Sequence, residues 1–241
     1  MTCNLSFPND WSDLSQSQMR FVFRLLAQGF TAEAIAVKCL FRWNGMYVLT
    51  KYKNGSWLVH QDGKEILISS EQLASVLPSI DWIADLPKKP VRLEVIHRHK
   101  ALPADFSDVP FEKYLYLDNL YQGYLHTHNE HLLIEMAEIL YNHSGIKLID
   151  AERVSIFYWF VSLKHLFGVE FSNFYSKNTS ATETTANLYK QLRDTTNAQI
   201  RALTKGDITK EVEVKSLDTW RALTELDAQA KDYQELKSHK H

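Results

Sequence analysis

The densest group of chemistry-bearing side chains in this sequence is made of histidines and carboxylates. His126, His128 and His131 fall close together, and Glu135 and Glu138 follow them. On a helix over Asn129–Tyr141, His131, Glu135 and Glu138 stand at i, i+4 and i+7 and share one face. Imidazole nitrogens and carboxylate oxygens are the ligands of zinc and di-metal centres. His128, His131, Glu135 and Glu138 are therefore the candidate metal set, and a metalloenzyme is one reading of the chain. Two features oppose it. Di-iron bundles use Glu-x-x-His pairs, which the sequence lacks, and His126 and His128 sit at an expected break between helices. The reading adopted is a polar face beside Leu132, Ile134, Met136 and Ile139, with no metal and no cofactor.

A second group is basic. Between Lys88 and Lys100, five Lys/Arg side chains stand against Glu94 alone, with His97 and His99 among them. Such a stretch could touch phosphate. It also describes an edge strand that lysine and proline protect from stray pairing, and this second reading needs no ligand. A third signal is Leu26-Ala27-Gln28-Gly29-Phe30-Thr31, a helix end, a glycine turn and a capped second helix, as in the first half of a helix-turn-helix. A recognition helix must show polar and basic side chains to the major groove. Ala32–Trp43 offers only Lys38 and Arg42 among Ala, Ile, Val, Cys, Leu, Phe and Trp. It is expected to pack in a core, so a nucleic-acid-binding regulator is kept as an alternative and nucleic acid is not the expected partner. No nucleophile elbow, dinucleotide fingerprint or phosphate loop is present, and eight glycines leave little material for one. The expectation is a non-enzymatic protein.

These side chains hang on elements that the sequence marks out. Ser15–Gln28 and Ala32–Trp43 read as two amphipathic helices parted by Gly29. Asn54-Gly55 and Asp62-Gly63 sit between runs of β-formers (Met46–Tyr52, Ser56–His60 and Glu65–Ser69), which predicts a three-stranded meander with tight type I′ turns. Ser70 caps a short helix over Glu71–Leu77. Val91–His97 alternates, with Val91, Leu93 and Val95 facing one way, and reads as a strand. Helices follow over Phe111–Leu125, Asn129–Tyr141, Ala151–Phe167, Thr184–Thr204 and Asp218–Lys237. Ala151–Phe167 is apolar nearly all round, as a buried central helix is. Ser176–Thr185 is the best internal linker.

The chain has 241 residues and a net charge of −2, so as a whole it is not built to coat nucleic acid or an anionic membrane. Cys3 and Cys39 give neither a disulfide framework nor a zinc spacing. No secretory signal and no membrane span are expected, and the cytoplasm fits best. The fold expected is α+β and mostly α-helical: a helical hairpin with a small antiparallel meander over 11–100, a helical bundle over 105–175 sharing that core, and a C-terminal helical pair over 180–241.

Three stretches carry a resemblance: Trp11-Ser12-Asp13-Leu14 with Gln18; Pro110-Phe111-Glu112-Lys113-Tyr114 ahead of a helix pair ending Leu132–Tyr141; and Leu203–Lys210 before Trp220 and a charged last helix. The layout resembles small helical proteins of Bacteroidetes phages and prophages, of the tail assembly chaperone type. The resemblance implies a structural or assembly protein that acts through helical protein–protein contacts, with no catalytic residues. The C-terminal pair is the expected contact surface. Leu188, Leu192 and Ile200 stripe its first helix, and Trp220, Leu223, Leu226 and Tyr233 stripe its second. Such narrow stripes cannot fold alone and must dock. A detachable arm that meets a protein partner or a second copy is expected, with truncation after about Tyr175 leaving a folded core.

Overall fold

The computed structural model of the chain describes residues 7–175 and 185–238. It is α+β and mostly helical, with a three-stranded and a two-stranded antiparallel sheet. The linker read at Ser176–Thr185 lies almost wholly outside the described residues.

Helix α1 (Gln16–Ala27) starts where Ser15 and Gln18 cap each other: the Gln18 amide donates to Ser15 Oγ at 3.3 Å, and the Ser15 amide donates to Gln18 Oε1 at 2.8 Å. Helix α2 (Ala32–Trp43) is capped by Thr31. It has two buried sides. Ile35, Ala36 and Cys39 belong to the main core, whereas Val37, Leu40 and Phe41 cover the underside of the sheet with Met46, Val59 and Leu73. So α2 packs in the core as expected on two sides, and its third side carries the exposed Lys38 and Arg42. Burial also pushes the Cys39 thiol up to about 12, which keeps it protonated.

The meander forms β1 (Tyr47–Lys51), β2 (Trp57–Gln61) and β3 (Lys64–Ile68), in that order. The two turns differ. Asp62 (φ 49°) and Gly63 (φ 77°) both take positive φ between paired Gln61 and Lys64, the two-residue hairpin expected of Asp-Gly. At the first turn Tyr52 pairs with Ser56, the loop is Lys53-Asn54-Gly55, and only Gly55 has positive φ, at 82°. This three-residue turn replaces the expected type I′ turn because Asn54 Oδ1 accepts the Ser56 amide at 3.0 Å and closes the loop from its side chain. An alanine Cβ at Gly63 would meet nothing within 4 Å, but at Gly55 it would lie 3.3 Å from Ser70 Cβ. Gly63→Ala should therefore cost about 1 kcal/mol from backbone strain alone, and Gly55→Ala more. Thermal denaturation of the two variants checks the order.

Helix α3 (Ser70–Val76) is capped by Ser69, one residue earlier than expected. The expected strand over Val91–His97 shrinks to β4 (Val95–Ile96), turning through His97 and Arg98 to β5 (His99–Lys100). Val91 and Leu93 are buried as expected, but Ile96 is buried and Val95 exposed. The alternation slips because the Arg20 guanidinium binds the Val95 carbonyl and the Ala101 amide donates to the Glu94 carbonyl, which turns the chain there.

Helices α4 (Phe111–Thr127) and α5 (Glu130–Leu140) pack as a pair against α6 (Asp150–Glu170), which also packs on α1. Ile156, Trp159, Phe160, Leu163 and Phe167 of α6 are almost fully buried, so it is the central helix. Short α7 (Ser172–Tyr175) follows, then α8 (Thr185–Thr204), α9 (Glu211–Ser216) and α10 (Thr219–Ser238). The main core runs from Trp11 to Leu226 and draws on all three segments of the sequence reading. The Thr219 amide donates to the Val109 carbonyl at 2.9 Å, and the Phe111 amide to the Leu217 carbonyl at 2.8 Å, which ties α10 to the start of α4. No described helix is long and apolar enough to cross a membrane.

Candidate functional site

Two neighbouring surfaces of the N-terminal part are built in a way that packing alone does not require. The first is the outer face of the sheet and its β1 edge, one of two outer strands. All five residues of β1 are exposed, and β1 has no strand on its other side among the described residues. Tyr47 is 73% and Leu67 58% exposed, and Val48, Leu49 and Tyr52 are also exposed. Directly opposite residues share a face of an antiparallel sheet. Tyr47 pairs with His60, Thr50 with Leu58, and Leu58 with Leu67, so these side chains lie together on the face away from α2. The register slips between Val48 and Thr50, leaving Leu49 as an extra residue that twists the edge.

The second surface is a groove of about 690 Å³ between α1, α2 and the start of β1. Phe21 and Arg24 of α1 with Gln28 at its C-terminal cap form one wall, Lys38 and Arg42 of α2 the other, and Tyr47, Val48 and Trp57 the end. The Arg24 and Arg42 guanidinium carbons lie 5.2 and 4.6 Å from the same Phe21 ring. Lys38 Nζ stands 4.5 Å from the Phe30 ring, and Lys51 Nζ 4.7 Å from Trp57. No carboxylate lines the groove, and Arg24, Lys38 and Arg42 make no ion pair among the described residues. The signal that could have found this region is segmental charge. Residues 16–100 carry twelve Lys/Arg against seven Asp/Glu, and residues 101–241 carry fifteen against twenty. The whole-chain value of −2 hides the contrast.

The candidate metal set does not converge. His131 Nε2 lies 3.6 Å from Glu135 Oε1, as helical spacing requires. Glu138 instead accepts the Gly145 amide at 2.6 Å, and His128 sits in the left-handed cap of α4 (φ 52°) with its ring against Tyr124. Among the described residues no three His, Cys, Asp or Glu side chains gather closely enough to hold a metal ion. The basic stretch is also divided. Arg92 turns inward, 5.8 Å from the Trp159 ring, His97 pairs with Glu152 at 3.5 Å, and His99 stacks on His143 at 3.6 Å between ring centres. Desolvation, and then the neighbouring His143 and His97, hold the His99 pKa down.

A third feature escaped the sequence reading altogether. Lys164 Nζ lies 2.9 Å from Asp118 Oδ1 and donates to Tyr114 Oη at 3.1 Å, and Tyr114 and Tyr175 share a hydroxyl–hydroxyl hydrogen bond. Burial opposes the lysine's charge, but Asp118, with Tyr175 and Tyr121, outweighs it and its pKa is raised. Burial pushes both Tyr114 and Tyr175 well above the ordinary range. A lysine held protonated and tyrosines held neutral are not poised for general acid–base work near neutral pH. They form a polar tie between α4, α6 and α7.

The expected partner-binding stripe covers this chain's own core. Ile200, Leu223 and Leu226 are buried in it, and Leu223 has no exposed surface. Trp220 packs edge-on against Phe167 and Phe171, and its indole N–H donates to the Asp105 carbonyl at 2.7 Å. Leu188 and Leu192 line a cavity between α8 and α4. Tyr233 alone is largely exposed, at 51%. The stripe docks, as its narrowness required, but on the core.

Compared with known proteins, the chain matches no family model, no curated protein and no solved structure.

Proposed function

We propose that the chain is a non-enzymatic structural or assembly protein, of phage or prophage origin as the resemblance implies, and that it works by protein–protein contact. The observation that supports this reading is the N-terminal sheet. An exposed edge strand with no described partner on its outer side, beside an outer face of Tyr47, Leu58 and Leu67, is costly to leave in water and gains from being covered. The contact surface is this sheet, rather than the C-terminal helical pair. Proteins that bind by strand addition gain main-chain hydrogen bonds along such an edge and specificity from alternate side chains.

Sedimentation velocity of the purified full chain tests the reading. A complex at micromolar concentration is expected, either of several copies or with a stoichiometric co-purifying polypeptide. A strict monomer that carries nothing overturns it.

A further inference from the structure

We propose that the groove between α1, α2 and β1 seats an acidic polypeptide segment in extended conformation, laid along the free edge of β1. The inference rests on the protein-contact reading above and gives its partner a chemistry.

The first argument is electrostatic. Arg24 and Arg42 converge on one phenyl ring, and Lys38 stands one helical turn before Arg42. Like charges at i, i+4 repel, and a ring quadrupole offsets that only in part. Some cations elsewhere have a carboxylate partner, Arg20 with Glu152, Arg153 with Glu130 and Lys164 with Asp118, and single surface cations such as Lys64 and Arg98 do without one among the described residues. Here it gathers three and gives them no described carboxylate. An anion arriving from outside completes the groove. Carboxylates suit it, because arginine binds them through two parallel hydrogen bonds.

The second argument separates a peptide from a nucleic acid. Single-stranded nucleic acid is held by aromatic rings whose faces are free to stack on bases. In this groove Phe21 and Trp57, and Phe30 beside it, each already have a cation over the ring, which leaves Tyr47 at the groove's end as the exposed ring, one platform rather than a row of them. What the groove leaves open is backbone. The N–H and C=O groups on the outer side of β1 have no strand partner among the described residues, and an extended polypeptide satisfies them in kind. Successive same-face residues of an added strand stand about 7 Å apart, so alternate acidic side chains can reach successive cations along the walls.

The experiment uses the full chain and a fluorescein-labelled dodecapeptide of alternating Val and Glu, followed by fluorescence anisotropy. Three comparisons accompany it: the same peptide with Lys for Glu, the Val–Glu peptide N-methylated at alternate amides, and a single-stranded 15-mer oligonucleotide. Saturable binding of the Val–Glu peptide alone is expected. The double variant Arg24→Gln/Arg42→Gln should weaken it about tenfold or more, with an unchanged circular dichroism spectrum, since both side chains are exposed. Absence of binding at 100-fold molar excess overturns the inference, as does equal binding by the double variant or by the N-methylated peptide. Preferential binding of the oligonucleotide, lost in the same variant, makes the occupant a nucleic acid and overturns it too. If the double variant instead dissolves a self-association of the pure protein, the occupant is a second copy and the acidic segment is wrong. A complex in sedimentation without peptide binding leaves the protein-contact reading standing and removes only this inference.

Discussion

Cutting the chain after Tyr175 will unfold it. The lost segment carries Ile200, Val214, Thr219, Ala222, Leu223 and Leu226, all buried. Its removal uncovers Phe167 and Phe171 beneath Trp220, and strips the Phe111 amide and the Val109 carbonyl of their partners on Leu217 and Thr219. Each large aliphatic side chain taken from a core costs about 2–5 kcal/mol, and a domain of this size has only about 5–15 kcal/mol in hand. The truncated protein is expected to show no cooperative thermal transition. A single change samples the same effect more gently: Leu223→Ala should lose about 3 kcal/mol by denaturant titration. A truncated form that melts cooperatively near the parent's midpoint would restore the detachable arm.

The second large effect is expected at the polar tie. Asp118→Ala leaves the Lys164 ammonium largely buried beside two tyrosine hydroxyls without its counter-charge. Breaking one partner out of a buried ion pair costs about 3 kcal/mol, whereas replacing both with well-packed apolar side chains is often close to neutral. Asp118→Leu/Lys164→Met should therefore recover most of what Asp118→Ala loses. Equal losses in the two would mean that the pair contributes only its packing. The same cluster sets a pH limit. Lys164, Tyr114 and Tyr175 all have folded-state pKa values raised above their unfolded ones of 10.5 and 10.0. Each holds its proton more tightly folded than unfolded, so its contribution is complete below about pH 10 and falls as pH rises beyond it. Denaturant midpoints measured from pH 7 to 11 should be flat and then drop steeply above pH 10. Tyr114→Phe/Tyr175→Phe should flatten the drop.

Much of the architecture is legible in the residues. Asp62-Gly63 fixes its hairpin because both residues accept positive φ, and Gly29 and Thr31 place the break between α1 and α2. The all-round apolar character of Ala151–Phe167 marks the central helix. What failed did so for physical reasons. At Val91–His97, periodicity reports a chain's own preference, and contacts from Arg20 and Ala101 overrode it. The stripe from Leu188 to Tyr233 shows which side of each helix is apolar but not what covers it, and for Ile200, Trp220, Leu223 and Leu226 the cover is the chain's own core. His128 and Glu138 share spacing with His131 and Glu135, but one sits in a left-handed cap and the other serves the turn at Gly145. The groove was overlooked because Phe21, Arg24, Lys38 and Arg42 come together only when α1 folds against α2. The Lys164–Asp118 tie joins residues 46 positions apart on separate helices, a separation that no local pattern reports.

The central claim is that partners meet this protein on its N-terminal sheet. The most direct measurement is sedimentation velocity, at matched micromolar concentrations, of the parent, of Tyr47→Lys/Leu67→Lys, and of Tyr233→Lys/Leu236→Lys. All four positions are exposed, so the fold should survive each pair of changes and circular dichroism should not move. The account predicts that the complex dissolves in the sheet variant and persists in the variant of α10. A complex that survives the sheet changes and falls apart with those on α10 would contradict it.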